Sequence, residues 1–241
     1  RFTTLAHAGR AILGPLDDAD LDAVLADLPV EPASRVLDIG CGKGELLVRL
    51  AARGASGVGI DHNPWHLRDA RARAAKAGVT GRLDWDRADA RAARIADPFH
   101  VVASIGASGA LGGAGAAPGA LAALVRPGGH VLIGEGFWRA APDPADAAAF
   151  GIGPDEMLPL AATLARMTGA GLALAAVHEA TDAAWERYET GYAAAIDDWA
   201  AAHPADPERH AFLERASVMR ATWAAWRRDA MGFAVAVLRR A

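Results

Sequence analysis

The residues with the clearest chemical potential sit together near the front of the 241-residue chain: Asp38, then Gly40-Cys41-Gly42-Lys43-Gly44, then a run with helical spacing from Glu45. Glycines at alternate positions permit a tight turn and let a backbone approach a ligand closely. A helix that begins behind such a turn presents free N–H groups and the positive end of its dipole. The loop is therefore suited to an anionic or polar group such as a carboxylate. Asp38 lies just before the turn, inside the apolar run Val36-Leu37-Asp38-Ile39. A carboxylate in that position is costly unless something meets it.

Two further acids extend the pattern. Asp61 closes the run Gly57-Val58-Gly59-Ile60 and follows Gly40 by 21 residues. At that distance a strand–helix–strand unit sets an acid against ribose hydroxyls. Asp89, followed by Ala90, comes just after a third strand and can accept a hydrogen bond from an exocyclic amine. One ligand with a cationic tail, a ribose and an adenine satisfies all three acids.

The elements that must position these residues alternate along the chain. Short apolar runs predict strands over Arg35–Ile39, Gly57–Ile60, Arg82–Trp85, Phe99–Ser104 and His130–Gly134. Helical spacing covers Glu45–Arg53, Pro64–Ala77 and Gly119–Val125 between them. Such alternation means strand–helix–strand units and a mostly parallel sheet with helices on both faces. The third strand is polar, with Arg82, Asp84 and Asp86, which suits an edge. Gly136–Gly153 reads as loop or short irregular structure. Met157–Gly169 reads as a helix, Gly171–Val177 as a sixth strand and Met231–Leu238 as a seventh. Between the last two lie helical stretches over Asp182–Ala202 and Pro207–Asp229, far more chain than a hairpin needs. The expectation is a single domain over 1–241, with an N-terminal helical segment at 1–30 and a helical cap inserted at 182–229. In the N-terminal segment a helix over Asp18–Leu28 is capped by Asp17 or Asp18.

Composition excludes several function classes. Apolar residues make up 52%, enough for a sizeable core, and the net charge is −4. With no basic surplus, binding to nucleic acid through phosphates is not expected. One cysteine excludes an internal disulfide and argues against a cysteine-based zinc site. There is no run of purely apolar residues long enough to span a membrane. No signal-peptide pattern stands in the sequence, which opens on Arg1 rather than Met, and a cytoplasmic location is expected. Oligomeric state is not legible.

The phrases VLDIGCGKG and VGID, the pair Asp89-Ala90, and the phrases FHVVASIGA and LVRPGGHVLIGE together resemble the class I S-adenosylmethionine-dependent methyltransferases. The resemblance runs from Pro32 to Gly136, and Gly169–Leu238 fits that family's last two strands. The phrase Gly134-Glu135-Gly136-Phe137-Trp138 and the N-terminal segment are similar to a bacterial small-molecule branch. The resemblance implies an α/β, Rossmann-like fold: a doubly wound, seven-stranded, mostly parallel sheet whose last strand is antiparallel. It implies S-adenosylmethionine as cofactor. Gly40, Gly42 and Gly44, with Cys41 in the turn, would cradle its methionine part, and Asp38 would meet the amino group. Asp61 would hold the ribose hydroxyls, with His62 beside the adenine. Asp89 and the Ala90 N–H would meet the adenine edge. Ser104, Ile105 and Gly106 would line the cofactor near its sulfonium. Two departures stand out. His62 occupies a position that is more often aliphatic in the family. The fourth strand lacks the acidic or Asn-Pro-Pro-Tyr signature of amino-group and nucleic-acid methylases.

The implied reaction is direct displacement at a methyl carbon, in which alignment and desolvation do most of the work. A base is needed only for an acceptor that arrives protonated. His100 and His130 open their strands and fall on the wrong end of the sheet. Glu135, closing the fifth strand, and His7, in the loose N-terminal segment, are the candidate catalytic residues. His178 follows the sixth strand and is expected to be solvated. Ser108, Trp138, Tyr188 and Tyr192 are the candidate contacts to a small-molecule substrate. Trp185, Tyr188 and Tyr192 share a helix face, which suits either a core stripe or an aromatic wall. His62 and His66 are four apart, but Pro64 intervenes and no third ligand is evident, so no metal is expected. Two alternatives remain at this point: a non-catalytic binder of the same cofactor, and a nicotinamide-dependent oxidoreductase. The second needs its third glycine three positions after the second, whereas Gly44 follows Gly42 by two.

Overall fold

In the computed structural model, residues 1–89, 98–153 and 156–241 are described. Ala90 lies outside them. Strands β1 (Arg35–Ile39), β2 (Ser56–Ile60), β3 (Leu83–Asp86), β4 (Phe99–Ile105), β5 (Val125–Trp138), β6 (Leu172–Glu179) and β7 (Met231–Arg240) form one sheet. Among the described residues its order is β3-β2-β1-β4-β5-β7-β6. β1 pairs in parallel with β2 and β4, and β7 runs antiparallel to both β5 and β6. The polar third strand takes the edge, as its residues suggest.

The helices are α1 (Phe2–Ala6), α2 (Asp18–Ala26), α3 (Glu45–Ala52), α4 (Pro64–Lys76), α5 (Ala117–Leu124), α6 (Pro144–Ala149), α7 (Leu160–Met167), α8 (Asp182–Ala202) and α9 (Arg209–Thr222). A π-helical turn over Trp223–Arg227 continues α9. Local chemistry explains their starts. Asp17 and Asp20 form a reciprocal capping box at α2. Asn63 caps α4 by accepting from Trp65 N at 3.0 Å, and Pro64 follows at the first helical position.

Strand alternation sorts the core into two layers. Val36, Val101, Ala103, Leu132, Val235 and Val237 face α2, α3, α4 and Trp185 and Trp223. Leu37, Ile39, Val102, Val131, Ile133 and Ala236 face Leu121 of α5 and Met167 of α7. A third cluster joins Phe2 and Ala6 of α1 to Tyr192, Ile196, Phe212 and Ala216 of α8 and α9. The N-terminal segment thus packs on the helices between β6 and β7.

Several expectations need correction. The loose front segment holds a short helix, α1, and the irregular stretch after β5 holds α6. β5 runs well past Gly134, because His130 to Trp138 pair continuously with Arg239 to Met231. At its start, pairing jumps from Phe99–Val125 to Val101–His130, so the Pro127-Gly128-Gly129 turn bulges out.

Candidate functional site

The chain crosses from one side of β1 to the other between β3 and β4, so the ends of β1 and β4 form the topological switch point where open α/β sheets bind ligands. The glycine loop leaves β1 there. Gly40 adopts φ +74°, and a Cβ on it would lie 2.2 Å from the Cβ of Ala107. Only glycine permits this backbone and this approach. Gly44, also left-handed, caps α3.

The loop differs from expectation in its donors. Gly40 N and Cys41 N donate to Ile60 O at 2.8 and 3.1 Å, Gly42 N donates to Asp61 Oδ2 at 2.9 Å, and Gly44 N donates to Cys41 O at 2.9 Å. These N–H groups are already spent inside the protein. What the loop offers a ligand is close approach. Asp61 does double duty, since its Oδ1 also accepts from Asn63 N at 2.7 Å. It clamps the loop to the start of α4.

Asp38 is 5% exposed. Burial, followed by the charge of Asp61, pushes its carboxyl up to about 7. No neighbouring cation among the described residues offsets this. A buried carboxyl facing a cavity with no cation of its own fits a ligand that brings one.

Two recesses meet at Gly40. One is a cavity of about 370 Å³, whose floor is Asp38, Gly40, Cys41, Gly42, Ile105 and Gly106. Its far wall comes from the α8–α9 region: Trp185, Tyr188, Glu189, Tyr192 and Arg227, with Phe150 and Phe233 beside them. Residues 11–16 roof it, and Leu13 sits directly over Gly42. The other is a groove of about 450 Å³ lined by Gly40, Ile60, Asp61, His62, Ala88 and Asp89. The pair can seat an elongated ligand with its polar tail at Asp38 and a flat ring beyond Asp61. The glycine cradle, the uncompensated Asp38 and the ribose-spaced Asp61 together fit an aminoacyl nucleoside.

The structure brings most of the sequence candidates to these recesses. Asp38, Gly40, Cys41, Gly42, Ile105, Gly106, Tyr188 and Tyr192 line the cavity, and Asp61, His62 and Asp89 line the groove. Other candidates fall elsewhere. Ser104 is 1% exposed and alternates with Ile105 onto the α5 side, where its Oγ has no partner. Glu135 shares the face of Val131 and Ile133, so Gly136 rather than Glu135 reaches the cavity. Burial pushes its carboxyl up, against an opposing hydrogen bond from Ser108 and the charge of Arg166. Ser108 therefore serves Glu135 rather than the cavity. Trp138 packs on Trp226, with ring centroids 6.3 Å apart. His178 pairs with Asp27 at 2.7 Å.

His7 is buried and does not line the cavity, but it bonds to Tyr188, which does. Its Nε2 lies 3.1 Å from Tyr188 Oη and its Nδ1 lies 2.8 Å from Thr3 O. The backbone around it is pinned from two sides: Lys43 Nζ donates to His7 O at 2.8 Å, and Asn63 Nδ2 donates to Thr4 Oγ1 at 2.8 Å. The residues that sequence reasoning missed are the roof at 11–16 and the buried pair Glu189–Arg227. Nothing local signals either. Among the described residues no three His, Cys, Asp or Glu side chains are grouped to hold a metal, and no helix is long and apolar enough to cross a membrane.

Comparison with known proteins agrees with this geometry. Residues 36–129 match the family model described as a methyltransferase domain. The uncharacterized protein YjhP of Escherichia coli (strain K12) is 30% identical over 86% of this chain and 84% of its own length. Two solved structures, the SAM-dependent methyltransferases of Thiobacillus denitrificans and Geobacter sulfurreducens, each in complex with S-adenosyl-L-homocysteine, are 30% identical. They superimpose with TM-scores of 0.93 and 0.94, covering 100% of this chain and 98% of each of theirs. The chain belongs to the S-adenosylmethionine-dependent methyltransferases, and S-adenosylmethionine is its cofactor.

Proposed function

We propose that the enzyme methylates a small organic acceptor by direct displacement, with the acceptor held in the cavity under α8 and α9. The observation that carries this reading is the largely apolar cavity joined at Gly40 to the cofactor groove. A cavity of that size and lining suits a small molecule rather than a polymer. The cofactor supplies an activated methyl group with a neutral thioether leaving group. The chain supplies placement. Asp38 meets the ammonium of the methionine part, Asp61 accepts from the ribose hydroxyls, and Asp89 accepts from the adenine amine. Gly40 and Gly42 let the chain lie close, and Ile105 with Gly106 face the reacting end. Phe150, Trp185, Tyr192 and Phe233 exclude water, which strengthens the electrostatics inside and favours a near-attack geometry.

Asp61→Ala is expected to weaken binding of S-adenosylhomocysteine more than about tenfold, because it removes both the ribose acceptor and the clamp on Gly42 N. Titration calorimetry reads this, and an unchanged dissociation constant would take Asp61 out of the site.

Asp38 makes binding pH-dependent. Its carboxyl is raised to about 7 in the free protein, and a bound ammonium lowers it. Binding below pH 7 therefore expels a proton. Affinity is expected to fall by about tenfold per pH unit below about 7 and to level off above it. In Asp38→Asn the slope disappears. A flat wild-type profile from about pH 5 to 8 would remove Asp38 from the ammonium site.

Methyl transfer itself is tested by offering labelled S-adenosylmethionine with a metabolite panel and identifying products by mass spectrometry. Binding of S-adenosylhomocysteine without transfer to any member would count against a small acceptor.

A further inference from the structure

The pair His7–Tyr188 restricts which acceptor the cavity takes. The Thr3 carbonyl can only accept, so His7 Nδ1 at 2.8 Å must carry the hydrogen. The ring is neutral, since burial pushes it down to about 4. His7 Nε2 is therefore a bare lone pair, and Tyr188 Oη at 3.1 Å must donate to it. A phenol that has committed its only hydrogen keeps lone pairs and nothing else for the cavity it lines. The ligand must supply the donor.

The remaining charges narrow the choice. Glu189 and Arg227 are buried against each other, which balances their charges and leaves Arg227 Nε as the pair's unpartnered donor at the cavity wall. Asp38 is taken by the cofactor's ammonium in the reading above. A carboxylate would have to shed its water for a cation, Arg227, whose charge Glu189 already balances, and an ammonium would face a sulfonium with no unpaired acid beside it among the described residues. Aromatic walls favour a flat apolar body.

Resting on that methyl-transfer reading, we propose that the acceptor is an uncharged hydroxyaryl compound whose O–H donates to Tyr188 Oη, and that Tyr188 hands its own proton to His7 Nε2 during transfer. A lone pair of the acceptor oxygen forms the bond to the methyl carbon as the carbon–sulfur bond breaks, and that electron pair returns to sulfur. The acceptor proton moves to Tyr188 Oη and the tyrosine proton moves to His7 Nε2. One positive charge leaves sulfur and one appears on the imidazolium, where Thr3 O still accepts from Nδ1. A weak base suffices, because the hydroxyl becomes strongly acidic only as its oxygen bonds to carbon. Tyr188 is the group that touches the acceptor, and His7 acts through it.

The groups facing His7 suit this role. Tyr188 and Tyr192 have ring centroids 5.8 and 5.1 Å from it, His66 lies at 6.4 Å, and the Arg10 and Lys43 charges add to the downward pull of burial. They keep the ring unprotonated across the physiological range and expel the proton once the site opens.

The test uses the full chain saturated with S-adenosylhomocysteine and a matched probe set: 2-naphthol, 2-methoxynaphthalene and 2-naphthoate. Calorimetry is expected to show 2-naphthol binding at least about tenfold more tightly than the ether or the carboxylate, and the preference should vanish in Tyr188→Phe. Nitrogen NMR of ¹⁵N-histidine protein, with His7 assigned through His7→Gln, is expected to show hydrogen on Nδ1 with no titration near about 6.5. With S-adenosylmethionine, mass spectrometry should detect 2-methoxynaphthalene. Its kcat should be flat from about pH 8 to 5.5, and about 100-fold lower in His7→Gln at unchanged affinity for S-adenosylhomocysteine. Tighter binding of the ether or carboxylate, hydrogen on Nε2, or binding of 2-naphthol without turnover would overturn the proposal. If S-adenosylhomocysteine itself fails to bind, the methyl-transfer reading falls first.

Discussion

Arg227→Met is expected to cost about 3–5 kcal/mol of stability, because it strands a buried acid. Arg227 is 2% exposed and Glu189 is 5% exposed, and the two lie at the join of α8 with the turn after α9. The guanidinium donates through Nη1 to Glu189 Oε2 at 3.2 Å and through Nη2 to Oε1, and its carbon lies 4.3 Å from the Phe150 ring centroid. Methionine keeps much of the volume but removes both donors. Glu189, whose carboxyl burial already pushes up, loses the partner that opposes the shift. The melting temperature should drop by on the order of 10 °C for a chain of this length. The double variant Arg227→Met/Glu189→Leu should recover most of the loss, since an apolar pair can replace a buried ionic one. A double variant no more stable than the single one would show that the pair is not the source of the cost.

Gly40→Val strikes the point that both recesses share. The backbone there is left-handed, where a β-branched residue is strained, and the new Cβ would meet that of Ala107 at 2.2 Å. The loop must lift away from Ala107. It then moves both the ceiling of the groove and the floor of the cavity. Affinity for S-adenosylhomocysteine is expected to fall more than about 100-fold, equivalent to about 2.7 kcal/mol. Gly40→Ala should fall between, since it carries the same Cβ clash without the branch. Calorimetry on folded protein, checked by circular dichroism, measures the loss. A valine variant with unchanged affinity would show that the loop does not carry the ligand.

Legibility in the sequence followed the range of the interactions involved. β1 and β2 were readable because inner strands bury most of both faces and so run as short, largely apolar segments, broken in β1 by Asp38. Asp38, Asp61 and Asp89 were expected at strand ends from spacings set by the strand–helix unit itself, and the structure sets them along the cavity and the groove. Glu135 was misread because the end of β5 is set by pairing with β7, about a hundred residues away. Once the strand continues to Trp138, alternation turns Glu135 to the other face. His7 was expected at the site itself, whereas the structure links it to the cavity only through the Tyr188 phenol of α8. The far wall was the least legible part. Glu189 and Arg227 belong to different helical elements, so no local spacing announces their pairing. The roof at 11–16 carries no motif, and its role comes only from lying over Gly42.

The most direct test of the central claim is a crystal structure of the protein with S-adenosylhomocysteine. The expected complex has the amino-acid end against Asp38 and the glycine loop, the ribose at Asp61, the adenine at Asp89, and the sulfur facing the cavity under Tyr188. Density for the nucleoside outside the groove, with Asp38, Asp61 and Asp89 all directed away from it, would contradict the assignment of the site.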